Sequence, residues 1–195
     1  MNIGFGFEQL AKVDHIVCVS HATKRDLLSY VDIPEDRVSV IHNAVFQPME
    51  PASDAACAEL RARLGLPEAA PLILHDGRNW YKNRETVLEV AARVRETRPD
   101  VHLVMVGALT PALEAQAERL SLGPALHVIE RIERADMATL YTTAAVLLFP
   151  SYYEGFGLPV LEARRAARRL GARIRGPCPE GEAQGVGSLA RTPVM

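Results

Sequence analysis

Six short apolar runs recur along the chain, and stretches with helical periodicity separate them. The runs are continuous rather than alternating, which is typical of strands that are covered on both faces. They are HIVCVS (15–20), VSVIH (38–42), PLILHD (71–76), HLVMVG (102–107), LHVIE (126–130) and AVLLFP (145–150). This alternation of strands and helices predicts an α/β fold with a Rossmann-like parallel sheet and helices on both faces.

The helix candidates have recognisable ends. Ser20 is a candidate N-cap for the first, and Gly65 suits the position just after the second. Thr110 and Pro111 fit the start of the fourth helix, and Gly123 fits its end. The predicted helices span 22–31, 54–65, 83–97, 110–123 and 134–144.

Composition narrows the class of protein. The 195 residues are 48% hydrophobic and 24% charged, as in ordinary globular proteins, and the net charge of −2 gives no reason to expect a nucleic-acid partner. The cysteines, Cys18, Cys57 and Cys178, are far apart, which argues against a zinc site and a disulfide framework. No apolar run approaches ~18 residues and no secretory signal is evident, so we expect a cytoplasmic protein.

One break in the pattern predicts a linker. The stretch NAVFQPMEPASD (43–54) contains two prolines and few periodic apolar residues. We therefore divide the chain into a first unit at 1–45, a linker and helix at 46–69, a second unit at 70–165 and an atypical tail at 166–195.

The stretch FPSYYEGFGLPVLEA (149–163) runs from the end of a buried strand through a glycine turn into a helix. Glu154 and Glu162 flank the turn, and carboxylates accept hydrogen bonds from sugar or ribose hydroxyls. Either glutamate alone is more readily explained as a favourable charge near a helix start. The turn should direct its backbone amides past the end of the strand, where doubly wound sheets bind phosphates. Those amides belong to Gly155, Phe156, Gly157 and Leu158.

A second constellation is LHDGRNWYKNRETVLE (74–89), in which a strand ends at Gly77 and a helix begins near Asn83. Arg78 and Lys82 lie in the loop between them. Arginine can bind phosphate with two hydrogen bonds and lysine acts as a point charge, although two loop cations by themselves are ordinary surface residues.

Together these strings resemble the retaining glycosyltransferases of the GT-B fold, glycosyltransferase family 4. EGFGLPVLEA is similar to the E-x7-E signature of that family, and NWYKN to its basic loop. The resemblance covers about residues 8–163 and implies transfer of a sugar from a nucleotide-diphosphate sugar with retention, in polysaccharide or glycan biosynthesis. It implies no metal and no cofactor.

The resemblance also implies roles for individual residues. Glu154 would contact the donor sugar, and Lys82 and Arg78 would neutralise the diphosphate, so these three are the candidate catalytic residues. Glu162 would hold the ribose hydroxyls. The remaining donor-binding candidates are Gly155, Phe156, Gly157, Leu158, Gly77, Asn79, Arg131 and Ile132.

A complete member of this family has two domains, and VDHIVCVSHATKRDLL (13–28) resembles the end of the first. We therefore interpret 1–45 as a remnant of the acceptor domain and 70–165 as an incomplete nucleotide-sugar-binding domain, with Met1 an internal start or a fragment boundary. The expected partners are a UDP- or GDP-sugar and a glycan or lipid-linked acceptor. Peripheral contact with the inner face of a membrane would involve the missing domain. This chain alone is expected to be inactive.

Three interpretations stay open at this point. The chain is either a glycosyltransferase fragment or a non-catalytic remnant that binds nucleotide sugars. Another GT-B enzyme, such as a nucleotide-sugar epimerase or a phosphorylase, is the further possibility. A dinucleotide dehydrogenase is disfavoured because GFGF (4–7) and GFGLPV (155–160) lack the third glycine of the G-x-G-x-x-G pattern.

The tail departs from the family pattern after Ala163. Residues 164–195 contain seven arginines against two glutamates. A back-translation shifted by two bases restores two family-like blocks at the expected spacing, so we interpret the tail as a frameshift, with natural truncation as the alternative. We expect disorder or weak order at 171–195, a helix that continues from Leu158 through Arg169, and an open edge on the strand at 145–150.

Overall fold

The computed structural model describes residues 9–46 and 49–166 and the backbone of residues 171–174. The chain divides into two compact units. Of the described residues, the first contains those up to Ala44 together with Glu154–Leu158, and the second contains those within Val45–Tyr153 and Pro159–Gly176. The functional roles that the sequence suggests for the domains stay predictions.

The first unit contains two short parallel strands and a helix. Its elements are β1 (Ile16–Cys18), α1 (His21–Tyr30) and β2 (Val38–Val40). Ser20 caps α1 as predicted, because its Oγ accepts a hydrogen bond from the amide of Thr23 at 3.0 Å. A small buried cluster joins the strands to the end of the helix through Cys18, Val31, Ile33 and Val38.

The second unit is a five-stranded, fully parallel sheet with the order β5-β4-β3-β6-β7. Its strands are β3 (Leu72–Asp76), β4 (His102–Val106), β5 (Leu126–Ile129), β6 (Val146–Phe149) and β7 (Gly171–Ile174). Its helices are α2 (Asp54–Arg63), α3 (Arg84–Arg95), α4 (Pro111–Arg119), α5 (Arg134–Thr143) and α6 (Leu158–Ala166).

The sheet is buried on both faces by separate apolar clusters. Leu72 and Leu74 of β3 belong to the cluster that includes residues of α2, α5 and α6. Ile73, between them, belongs to the cluster that includes residues of α3 and α4. Alternate residues of one strand therefore enter opposite cores, which explains why the first three residues of β3 are all apolar. The Rossmann-like α/β fold class and the six predicted strands are confirmed.

The end of α4 differs from the prediction. The helix ends at Arg119, and Ser121, with φ of 54°, takes the left-handed position that we assigned to glycine. The amide of Leu122 donates to the carbonyl of Ala117 at 3.1 Å, and the Leu122 side chain is buried. This bond and the apolar anchor fix the helix end early, and Gly123 begins a separate short turn.

The prediction for the tail is wrong for residues 171–174. These residues form β7, which pairs in parallel with β6 from Val146 opposite Gly171 to Phe149 opposite Ile174. The edge of β6 is therefore covered. The physical reason is that the unpaired backbone groups of a strand need partners, and any extended segment within reach supplies them whatever its side chains. The described part of α6 ends at Ala166, and the predictions for 167–170 and 175–195 lie outside the described residues.

Candidate functional site

The strand order of the second unit defines one edge at which a ligand can bind. From β3 the chain adds β4 and β5 on one side, and then β6 and β7 on the other. In such sheets the crevice lies beyond the carboxyl ends of the two central strands. Here β3 ends at Asp76 and β6 ends at Phe149.

Lys82 lies at this edge with its side chain buried. It ends a short turn at Trp80–Lys82, and only 8% of the residue is exposed. Its Nζ lies 4.4 Å from the centroid of the Phe149 ring. The sequence-predicted cation therefore extends from the β3 loop to the end of β6, and the electron-rich face of an aromatic ring supports its charge.

Gly77 makes room for this lysine. A Cβ atom built on Gly77 would lie 2.6 Å from Cγ of Lys82, which is closer than real Cβ contacts allow. The φ of Gly77, 153°, is also one that residues with a side chain rarely adopt. Gly77, which the sequence predicts to bind the donor, thus leaves the space that the side chain of Lys82 occupies.

The turn is tied to the segment that follows β6. Asn83 has φ of 56°, and its Nδ2 donates to the carbonyl of Pro150 at 3.1 Å. The amide of Tyr152 donates to the carbonyl of Tyr81 at 2.8 Å. These bonds hold the two loops of the edge together.

Arg78 is exposed and lies across the ends of the neighbouring strands. Its Nη2 donates to the carbonyl of Glu130 at 2.8 Å. A Cβ at Gly107, the residue after β4, would collide with the stem of Arg78, so this glycine is needed for the side chain to lie as it does. Asn79 is also exposed, and its Nδ2 donates to the Tyr81 hydroxyl at 2.9 Å. Arg131 is exposed after β5, whereas Ile132 is half-buried against the core.

Glu162 is a buried carboxylate on α6. It is 8% exposed, and its Oε1 lies 3.3 Å from Nη2 of Arg134. Its Oε2 lies 3.4 Å from the hydroxyl of Tyr141, which donates to Oδ2 of Asp76 at 2.9 Å. Burial raises the pKa of Glu162, the nearby carboxylate of Asp76 acts in the same direction, and Arg134 opposes them. The charge of this carboxylate is therefore only partly compensated, and a ligand that donates hydrogen bonds to it would stabilise that charge.

A series of contacts connects two of the predicted site residues of the second unit, Glu162 and Lys82. Glu162 contacts Tyr141, Tyr141 contacts Asp76, and Asp76 precedes Gly77, against which the stem of Lys82 lies. One carboxylate and one cation predicted from separate parts of the sequence thus belong to the same carboxyl edge.

Glu154 and the glycine turn fall in the first unit. There the hydroxyl of Thr23 donates to the carbonyl of Gly155 at 3.3 Å, and the buried ring of Phe156 lies 5.6 Å from the ring of His42. Gly157 has φ of 82°, and Leu158 begins α6. The roles of these residues in binding sugar or phosphate stay predictions.

Sequence reasoning missed three residues that surround Glu162, namely Asp76, Tyr141 and Arg134. A carboxylate at the last position of a strand was the available signal for Asp76. Tyr141 was hidden because it occupies an apolar position of a helix and is completely buried. Arg134 lies 28 residues before Glu162, and nothing local in the sequence links the two.

Neither a metal cluster nor a membrane span is found among the residues that the structure describes. No group of three or more histidine, cysteine, aspartate or glutamate side chains in this part of the chain could hold a metal ion. None of its helices is both long and apolar enough to cross a membrane.

Solved structures share the fold. Anabaena HepE in complex with UDP and glucose superposes with a TM-score of 0.76 at 19% identity, over 90% of this chain and 48% of that one. Sucrose-phosphate synthase from Thermosynechococcus elongatus superposes with a TM-score of 0.73 at 24% identity, over 90% of this chain and 44% of that one.

Curated relatives and family models agree with these structures. The D-inositol 3-phosphate glycosyltransferase of Xylanimonas cellulosilytica is 32% identical over 171 residues, which are 82% of this chain and 40% of the relative. An uncharacterized glycosyltransferase of Methanocaldococcus jannaschii is 29% identical over 77% of this chain and 40% of its own. The chain thus spans about two fifths of the length of these relatives. The Glycosyltransferase Family 4 model matches residues 3–46. The model of glycosyl transferases group 1 matches residues 58–167, more than half of the chain, and this protein therefore belongs to that family.

Proposed function

We propose that this chain contains the donor-binding part of a retaining glycosyltransferase that takes its sugar from a nucleoside diphosphate. The observation that carries the proposal is the carboxyl edge of the second unit, where the contact chain from Glu162 to Lys82 unites a buried acceptor with a buried cation. A ribose needs a hydrogen-bond acceptor such as Glu162, and a diphosphate needs a cation such as Lys82.

The proposed roles follow from charge. Lys82 and Arg78 stabilise the negative charge that develops on the departing diphosphate, and the amides of Gly155–Leu158 add fixed dipoles. Glu162 accepts the ribose hydroxyls, and Glu154 contacts the sugar. Because Lys82 and Glu162 are buried and held by contacts within the second unit before the donor arrives, their part in the stabilisation needs little rearrangement.

A UDP-sugar is the proposed donor. The support comes from the Anabaena neighbour, which was solved with UDP and with UDP-glucose. The proposed acceptor is a glycan or lipid-linked sugar, and the proposed setting is polysaccharide biosynthesis in the cytoplasm or at the inner face of a membrane.

Calorimetric titration tests the donor site. We expect the 195-residue chain to bind UDP, and Lys82→Met to weaken binding by roughly tenfold to a hundredfold, which is the range for one charge-assisted contact. Lys12→Met is the matched control because it removes a lysine from the first unit. Equal affinities for wild type and Lys82→Met would exclude the proposed diphosphate site.

A turnover assay separates the two remaining functions. Release of UDP from UDP-glucose in the presence of a sugar acceptor would identify a catalytic chain. Binding of UDP-glucose without release would identify a module that binds the donor only, which is the outcome we expect for this chain by itself.

A further inference from the structure

The hydroxyl of Tyr141 faces two carboxylates with a single proton. It lies 2.9 Å from Oδ2 of Asp76 and 3.4 Å from Oε2 of Glu162. A phenol has one proton to donate, so the two carboxylates share it, and Asp76 is the nearer acceptor. Burial raises the pKa of Tyr141, so the phenol keeps its proton throughout the range in which proteins function.

This arrangement leaves Glu162 as an acceptor. Its Oε1 is oriented by Arg134, and its Oε2 is the more distant of the two acceptors of the phenolic O–H. Tyr141 is fully buried in the core, so the oxygen that contacts Glu162 is held in place by packing. The carboxylate is thus positioned, while its acceptor capacity is kept for a ligand.

We propose that Tyr141 and Asp76 are positioning residues that hold Glu162 as an open acceptor for the two hydroxyls of a ribose, and that the site thereby selects ribonucleotides over their dideoxy counterparts. This proposal rests on the proposed donor site, since it requires that Glu162 meets the ribose. A site built to accept hydrogen bonds from hydroxyls discriminates strongly against ligands that lack them, because its buried acceptor is then left unpaired.

The test compares the affinities for UDP and 2′,3′-dideoxy-UDP by calorimetry. For the wild-type chain we expect a ratio of about a hundredfold, and for Tyr141→Phe a ratio of about tenfold or less, in line with one lost charge-assisted hydrogen bond. Thr143→Val is the matched control. It removes a half-buried hydroxyl from the same helix, one that donates to the carbonyl of Thr139 at 2.7 Å, and it should keep the wild-type ratio.

A double variant distinguishes positioning from general damage. In Glu162→Gln the carboxylate on which Tyr141 acts is already lost, so adding Tyr141→Phe should leave the ratio unchanged. A further fall in the Glu162→Gln background would show that Tyr141 acts elsewhere and would overturn the proposal.

A second single variant covers the case in which Tyr141→Phe does not fold. Asp76→Asn leaves Tyr141 in place and nearly preserves the side-chain volume at position 76. It removes the charge that attracts the phenolic proton. The proton then turns to Glu162, occupies Oε2 and lowers the ratio. An unchanged ratio in Asp76→Asn would refute the arrangement.

The failures of the two proposals can be told apart. If the wild-type chain binds UDP and its dideoxy analogue equally, the ribose role of Glu162 fails and the present proposal fails with it. If the wild type discriminates and Glu162→Gln does not, but Tyr141→Phe retains the wild-type ratio, the donor site stands and only the role of Tyr141 is refuted.

Discussion

His75 should make the stability of this protein fall as the pH is lowered. The side chain is fully buried on β3, and its Nδ1 donates to the carbonyl of Leu148 at 3.0 Å. Burial lowers its pKa to about 4, and the positive charges of Arg84 and Lys82 act in the same direction. The folded protein therefore keeps this imidazole neutral at a pH where an unfolded chain would protonate it.

The sign and size of this change in the free energy of unfolding with pH follow from proton linkage. Between pH 6.5, the usual value for histidine, and the folded value of about 4, the unfolded state binds more protons, so the free energy of unfolding decreases as the pH falls. A separation of this size corresponds to roughly 3 kcal/mol, a large share of the stability of an ordinary domain.

The measurement is urea unfolding at several pH values between about 7 and 4, compared for wild type and His75→Met. Methionine fills similar space and cannot titrate, so the variant should lose the component of roughly 3 kcal/mol while the other groups continue to titrate. His15→Met, at an exposed position, should follow the wild type. Parallel pH profiles for wild type and His75→Met would refute the reasoning.

Three further changes have defined outcomes. Glu162→Gln should raise the melting temperature at pH 7 while weakening UDP binding. Because burial raises the pKa of this carboxyl in the folded state, wild-type stability falls as the pH rises through that range, so the advantage of glutamine should shrink in acid. Gly77→Ala should weaken UDP binding by about tenfold in calorimetry, since the new Cβ displaces the lysine that charge-assisted binding needs, and Gly65→Ala serves as its control because nothing lies within 4 Å of a Cβ there. Ser121→Gly should raise stability by up to about 1 kcal/mol in urea unfolding, because a left-handed conformation costs a residue with a side chain roughly 1–2 kcal/mol; no gain would contradict the φ of 54°.

The fold could be predicted because its signals are local. Runs such as PLILHD and AVLLFP are apolar on both faces, and that composition suits only strands of a covered sheet. The caps at Ser20 and Thr110 were recognisable for the same reason, since each hydroxyl accepts a bond from an amide three residues ahead. Strand β7 was missed because its pairing depends on backbone groups, and these leave no pattern in the residue types.

The candidate site could be predicted only in part. Glycines, Lys82 and Glu162 carry their signal in short strings of sequence. The surroundings of Glu162 do not, because Tyr141 and Asp76 are 65 residues apart and meet only when α5 packs on β3. The position of Arg78 depends likewise on the absence of a side chain at Gly107. Such contacts are properties of the assembled sheet and cannot be read from any one segment.

The pairing of β7 with β6 also affects how copies of this protein meet one another. Exposed strand edges are templates on which further chains can add and aggregate, and a long, flat edge is the most hazardous. β6 lies next to the centre of the sheet and is rich in apolar residues. Because β7 pairs with its edge, other protein molecules in solution cannot add a strand there. In its place the described part of the sheet presents Gly171–Ile174, which is as short as β6 and contains a charged residue, Arg173. A charged residue on a short edge strand discourages the addition of further chains, so this pairing favours a protein that stays dispersed at high concentration.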